Sequence, residues 1–61
     1  MPILRLDMHP GKTLEQKREL ALGITRVVVE TLACPSEVVE IIITEISKDS
    51  WSVAGKLKSE A

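Results

Sequence analysis

One cysteine, one histidine and one aromatic residue are all that 61 positions hold of the side chains that usually staple or anchor a small domain. A lone Cys34 excludes an internal disulfide framework. With His9 as the only histidine, no Cys/His pair stands at metal-ligand spacing, and the pattern implies no metal. Trp51 is the single aromatic and the net charge is −1, so the basic stripe with stacking rings of a nucleic-acid module is missing. No stretch reaches the roughly 18 apolar residues of a membrane span. Arg5 and Asp7 interrupt the N-terminal apolar run where a signal peptide would need its core. An unpaired cysteine fits a reducing compartment, so a cytoplasmic location is expected.

What is present is aliphatic. Apolar residues make up 44% of the chain, more than one small core needs. A chain of this length folding alone buries only about 60% of its unfolded surface. With neither disulfide nor metal to help, association with other chains is the remaining way to cover the surplus. An obligate oligomer is expected.

No repeat, linker or low-complexity segment divides the chain, which reads as a single domain over 1–61. From Pro2 to Met8 the sequence alternates, with Leu4, Leu6 and Met8 on one side and Arg5 and Asp7 on the other. That period of two predicts a strand with one buried face. His9-Pro10-Gly11 is a turn signal. Thr13 followed by Gln16 is a capping box that opens a helix. From Leu14 to about Ala33 the spacing is helical, with Leu20, Ile24, Val27, Val28, Thr31 and Leu32 on one stripe and Leu22 and Val29 on a thin second one. Cys34-Pro35-Ser36 ends it, because proline disfavours helical geometry in the residue before it. Val38 to Ile46 reads as a second strand that is apolar on both faces, except at Glu40. Such a strand needs cover on both sides. The polar tail has a short apolar centre, Trp51 to Ala54, and suits a small hairpin or arm.

Strand, helix and strand with a crossover of about thirty residues predict an α/β fold: one right-handed βαβ unit with parallel strands. One helix covers one sheet face. Other subunits must cover the second.

These features together resemble the 4-oxalocrotonate tautomerase family over essentially the full length. The Met-Pro start, the short first strand, GKTLEQK at Gly11 to Lys17, the helix end at Pro35, the strand IIITEI, and Trp51 with Gly55 stand in the family's order. The resemblance implies βαβ protomers assembled as a homo-hexamer, or as a hetero-hexamer of two related chains. It also implies removal of Met1, so that Pro2 becomes the catalytic base of a cofactor-independent tautomerase. Such enzymes move a proton between oxygen and carbon in small unsaturated 2-oxo acids.

The chemistry of the residues fits that role in part. A proline inside a chain is a tertiary amide without basicity; at a free terminus it is a secondary amine. An apolar pocket and nearby cations both favour its neutral, basic form. Without a freed terminus, Pro2 merely starts an edge strand, where its missing donor is harmless. Lys12 falls where the family has a carboxylate-binding arginine, keeping the charge but losing the bidentate fork. As a solvated charge beside a helix start it would need no function. Trp51 falls where the family places its pocket aromatic, and tryptophan also serves as an interface anchor.

Glu40 is the departure. The family's second substrate-binding arginine occupies this position, so the charge is reversed. Unit charges at 4 Å in an effective dielectric of 20 interact by roughly 4 kcal/mol before screening, a large term against a dicarboxylate substrate. Three accounts stand open. Glu40 pairs with Arg5, Arg18 or Arg26 of its own or another chain; a companion chain supplies the arginine; or the substrate differs. The last includes hydratase- and dehalogenase-like relatives that use a protonated proline with a carboxylate to activate water. A weakly active or structural subunit of a hetero-hexamer is the reading from outside enzymology. Cys34, with no histidine near it in sequence, reads as a small packed residue, and His9 as a turn residue that, as the only histidine, could reach the pocket rim.

Overall fold

The computed structural model describes residues 1–60; Ala61, the end of the expected C-terminal arm, lies outside the described residues. Strand β1 spans Ile3–Met8, helix α1 Leu14–Leu32 and strand β2 Glu40–Glu45, followed by two-residue strands β3 (Ser52–Val53) and β4 (Lys56–Leu57). β1 and β2 pair in parallel, Ile3 opposite Glu40 and Met8 opposite Glu45. Parallel pairing requires a crossover, and α1 is it. Main-chain bonds extend the ladder at both ends, from Glu40 N to Pro2 O at 3.0 Å and from Ile46 N to Met8 O at 2.8 Å.

The helix starts where its capping box dictates. The Thr13 side chain accepts from Gln16 N at 3.1 Å, and the Gln16 side chain accepts from Thr13 N at 2.9 Å. It stops at Ala33, whose left-handed backbone (φ 52°) forms the C-cap. The second strand is shorter than its apolar run. Val38, expected inside it, belongs to a 3-10 turn over Ser36–Val38, with Val38 N bonded to Pro35 O and Val39 N to Ser36 O. Pro35 enters that turn extended (φ −71°, ψ 152°), and the chain must bend there to run back alongside β1.

The expected stripe is covered only in part, at Ile24 and Val28. Half-buried helix positions are Lys17, Ala21, Gly23, Ile24, Thr25, Val28 and Val29. Thr25 satisfies its hydroxyl on Ala21 O at 2.7 Å. Leu20, Val27 and Leu32, placed on the core stripe by their spacing, remain 38%, 61% and 60% exposed. A two-stranded sheet is too narrow to cover the full apolar arc. Leu20, Ile24 and Val27 instead flank an open apolar groove with Leu4 and Gly23.

On the sheet, Leu4, Leu6, Met8, Ile41 and Ile43 are half-buried, while Ile3, Arg5, Asp7, Glu40, Ile42 and Thr44 are exposed. The second sheet face is therefore open, with Ile3 at 54% and Ile42 at 42% exposure. No described residue is fully buried. β3 and β4 form an antiparallel hairpin closed by Ala54 and Gly55, both at positive φ (55° and 81°), as a two-residue type I′ turn requires.

Candidate active site

The parallel pair has two ends, and the candidate residues divide between them. At the N-terminal end, Pro2 precedes β1 and is half-buried, with only Met1, 81% exposed, before it. The Pro2 carbonyl accepts from the Glu40 main chain. Glu40 faces Ile3 in register, and both are exposed on the open face. Pro2 and Glu40 are thus neighbours. Among the described residues the only ion pair joins Lys17 to Glu45, so Glu40 has no pairing with Arg5, Arg18 or Arg26 of its own chain.

At the C-terminal end, Gly11 (φ 117°) turns the chain out of β1 and delivers Lys12 to the helix start. Lys12 lines a cleft of about 210 Å³ with Met8, Gln16, Lys17 and Leu20. Lys17 is already occupied there, its Nζ 2.7 Å from Glu45 Oε1. Lys12 has no carboxylate within ion-pair reach among the described residues, so its charge is available.

Trp51 arrives at the same end by another route. After β2, the Ser47 side chain caps a 3-10 turn over Lys48–Ser50, which leads into Trp51 and the hairpin. The Trp51 ring lies against His9, ring centroids 4.2 Å apart at 46°. His9 Nδ1 in turn lies 3.4 Å from Ile46 O, tying the imidazole to the end of β2. On the hairpin side, Lys58 N donates to Trp51 O at 2.8 Å and Lys58 Nζ sits 4.9 Å from the ring centroid. The sequence offered His9, its only histidine, as a turn residue within reach of the pocket rim; Lys58 beside the tryptophan was not singled out. Their signal was only positional: a turn residue and a tail lysine, each far along the chain from the ring's other neighbour.

Six residue steps of about 3.3 Å separate Pro2 from Met8, so the two ends stand about 20 Å apart. No small acid touches both in one protomer. Pro2 and Glu40 stand at one end, and Lys12 and the Trp51 ring against His9 at the other.

The chain matches the protein-family model for tautomerase enzymes over residues 2–61. The chain belongs to the 4-oxalocrotonate tautomerase family. It is 40% identical over 60 residues to the 2-hydroxymuconate tautomerase of Bacillus subtilis, covering 98% of this chain and 97% of that one. Its fold superposes on a solved homologue of 4-oxalocrotonate tautomerase with a TM-score of 0.94 at 38% identity, covering 98% of each chain. It also superposes on a chain of the heterohexameric 4-oxalocrotonate tautomerase of Chloroflexus aurantiacus, with a TM-score of 0.90 at 33% identity over 98% of this chain and 97% of that one. The tautomerase is accordingly an isomerase-type enzyme. Among its described residues no helix is long and apolar enough to cross a membrane.

Proposed function

We propose that Pro2, freed by removal of Met1, is the general base of a proton transfer in a small enol or unsaturated 2-oxo acid. The amine takes the proton from the substrate's 2-hydroxyl and returns it to a carbon of the conjugated system. The enol becomes a ketone and the amine is regenerated, so no cofactor or oxidant enters. Lys12 holds the carboxylate as a point charge, and Trp51 walls the site against water, which keeps the amine neutral.

The observation that carries this reading is the position of Pro2: half-buried at the head of β1, its carbonyl bonded to the Glu40 main chain where the strand ladder begins. The 20 Å separation follows as a requirement on assembly. Two protomers set antiparallel bring the Pro2 end of one against the Lys12 and Trp51 end of its partner. The open sheet face and apolar groove supply the surfaces for that contact, and the hexameric organisation of the Chloroflexus relative is the expected form.

The test is a Pro2→Ala variant, with intact mass measured on both proteins to establish loss of Met1. The expected loss in kcat is about 10²–10⁴-fold, the range of a positioned general base. In the parent, kcat/KM should rise with pH as the amine loses its proton. Full activity in the variant refutes the assignment.

Glu40 beside Pro2 favours one alternative, because a nearby carboxylate stabilises the protonated amine. A hydratase- or dehalogenase-like enzyme with a cationic Pro2 would show activity that falls as pH rises. A structural subunit of a mixed hexamer would show no turnover when purified alone.

A further inference from the structure

We propose that Lys58 is a second carboxylate-binding residue of the tautomerase site, and that Glu40 restricts the substrate to acids carrying one carboxylate and an uncharged tail. This rests on the reading of Pro2, Lys12 and Trp51 as one site shared between protomers.

Lys58 is held in place by two contacts. Its main-chain N–H is bonded to Trp51 O, and its ammonium lies over the indole at 4.9 Å. No carboxylate is within ion-pair distance of it among the described residues. An ammonium is a compact charge with three donors. The ring faces one side of it through a cation–π contact, leaving the remaining donors for an anion. His9 braces the indole at 4.2 Å, so the ring that carries the cation is fixed rather than swinging. Lys12, likewise without an ion pair among the described residues, stands at the same end of the sheet.

The Pro2 end has the opposite character. Glu40 is exposed, unpaired within the protomer, and set beside Ile3, which is 54% exposed. A second carboxylate arriving there meets a like charge, and an apolar tail meets Ile3. The charge is therefore polarised along the substrate, cationic at the Trp51 end and anionic at the Pro2 end. A 2-oxo monoacid fits both ends; a diacid fits only one.

Trp51 is the only tryptophan, so its fluorescence reports binding without turnover. The intact oligomer is titrated with phenylpyruvate, a monocarboxylate, and with muconate, a dicarboxylate. Phenylpyruvate should bind the tighter. In Lys58→Gln its Kd should rise about tenfold, the effect of removing one charge-assisted contact, whereas Lys58→Arg should stay close to the parent. In Glu40→Gln the ratio of muconate Kd to phenylpyruvate Kd should shrink about tenfold. Equal Kd values in Lys58→Gln and the parent overturn the Lys58 assignment, as does an equal loss in Lys58→Gln and Lys58→Arg, which would mean packing alone. Muconate binding as tightly as phenylpyruvate overturns the Glu40 assignment. Failure of the base reading is seen separately, as turnover surviving in Pro2→Ala, whatever the titrations give.

Discussion

Replacing Ile42 by lysine tests the claim that the open sheet face is covered in solution. The chain has a radius of gyration of 14.7 Å, against about 10.5 Å for a compact domain of its length. Its accessible surface is 4749 Å², whereas a compact monomer of 6.7 kDa exposes about 3,900 Å². If a little over half of the roughly 800 Å² excess is apolar, covering it contributes on the order of 12 kcal/mol at 25 cal/mol per Å². The whole net stability expected of 61 residues is only about 3–9 kcal/mol. A lone protomer therefore does not hold this shape, and the cover must come from other copies or a related chain. Ile42 is 42% exposed at the middle of that face. Covering the remainder of its side chain contributes about 1 kcal/mol per protomer. A lysine there adds the desolvation of an ammonium, so Ile42→Lys should cost about 3 kcal/mol or more per protomer and dissociate the assembly. If the face met water instead, the change would stay within about 0.5 kcal/mol. Light scattering after gel filtration, with thermal unfolding at low and high protein concentration, separates the two. The parent should have a concentration-dependent Tm and Ile42→Lys should not assemble. A monomeric parent with a concentration-independent Tm, or a variant that melts like the parent, refutes the reasoning.

Two smaller perturbations probe the local determinants of the site. Thr13→Ala removes one half of the capping box directly after Lys12 and should cost about 1 kcal/mol in denaturant unfolding, with Thr13→Ser recovering most of it; an unchanged midpoint would show that the cap is not formed in solution. The Lys17–Glu45 pair beside the Lys12 cleft is short, but its side chains keep 26% and 35% exposure, so a double-mutant cycle should give less than about 1 kcal/mol and shrink in high salt. A coupling several times larger would mean that the pair is desolvated by another chain.

The backbone plan was legible because its signals are local. Alternation from Leu4 to Met8 set the buried face of β1, the Thr13/Gln16 pair set the helix start, and a crossover of that length allows only a parallel pairing. Two readings failed for one shared reason: hydrophobic spacing records which residues lie together, not what meets them. Leu20, Val27 and Leu32 share the stripe with Ile24 and Val28, yet within one protomer only Ile24 and Val28 are half-buried and the other three stay exposed. Val38 is apolar and abuts the strand, but the bend forced after Pro35 takes it into a 3-10 turn. Of the site, the nearness of Glu40 to Pro2 came with the position the resemblance gave Glu40, and the main-chain bond from Glu40 N to Pro2 O agrees with it. The cluster of His9, Trp51 and Lys58 was not legible, because His9 and Trp51 meet across the length of the crossover and β2, and no periodicity links them.

Size explains why this chain divides its chemistry. A pocket needs opposed walls, and a helix on two strands has one layer against another with nothing beyond. The two ends of a parallel pair are fixed apart by the strand length, so Pro2 at one end and Lys12 and Trp51 at the other cannot converge within a protomer. The antiparallel assembly proposed above would remove that constraint and cover the exposed Ile42 in the same step. Stability and catalysis then share one interface. Substitutions at Ile42, on the open face but away from Ile3 and Glu40, should therefore lower turnover in proportion to the assembly they lose, while Lys58 variants that stay assembled change which acids bind.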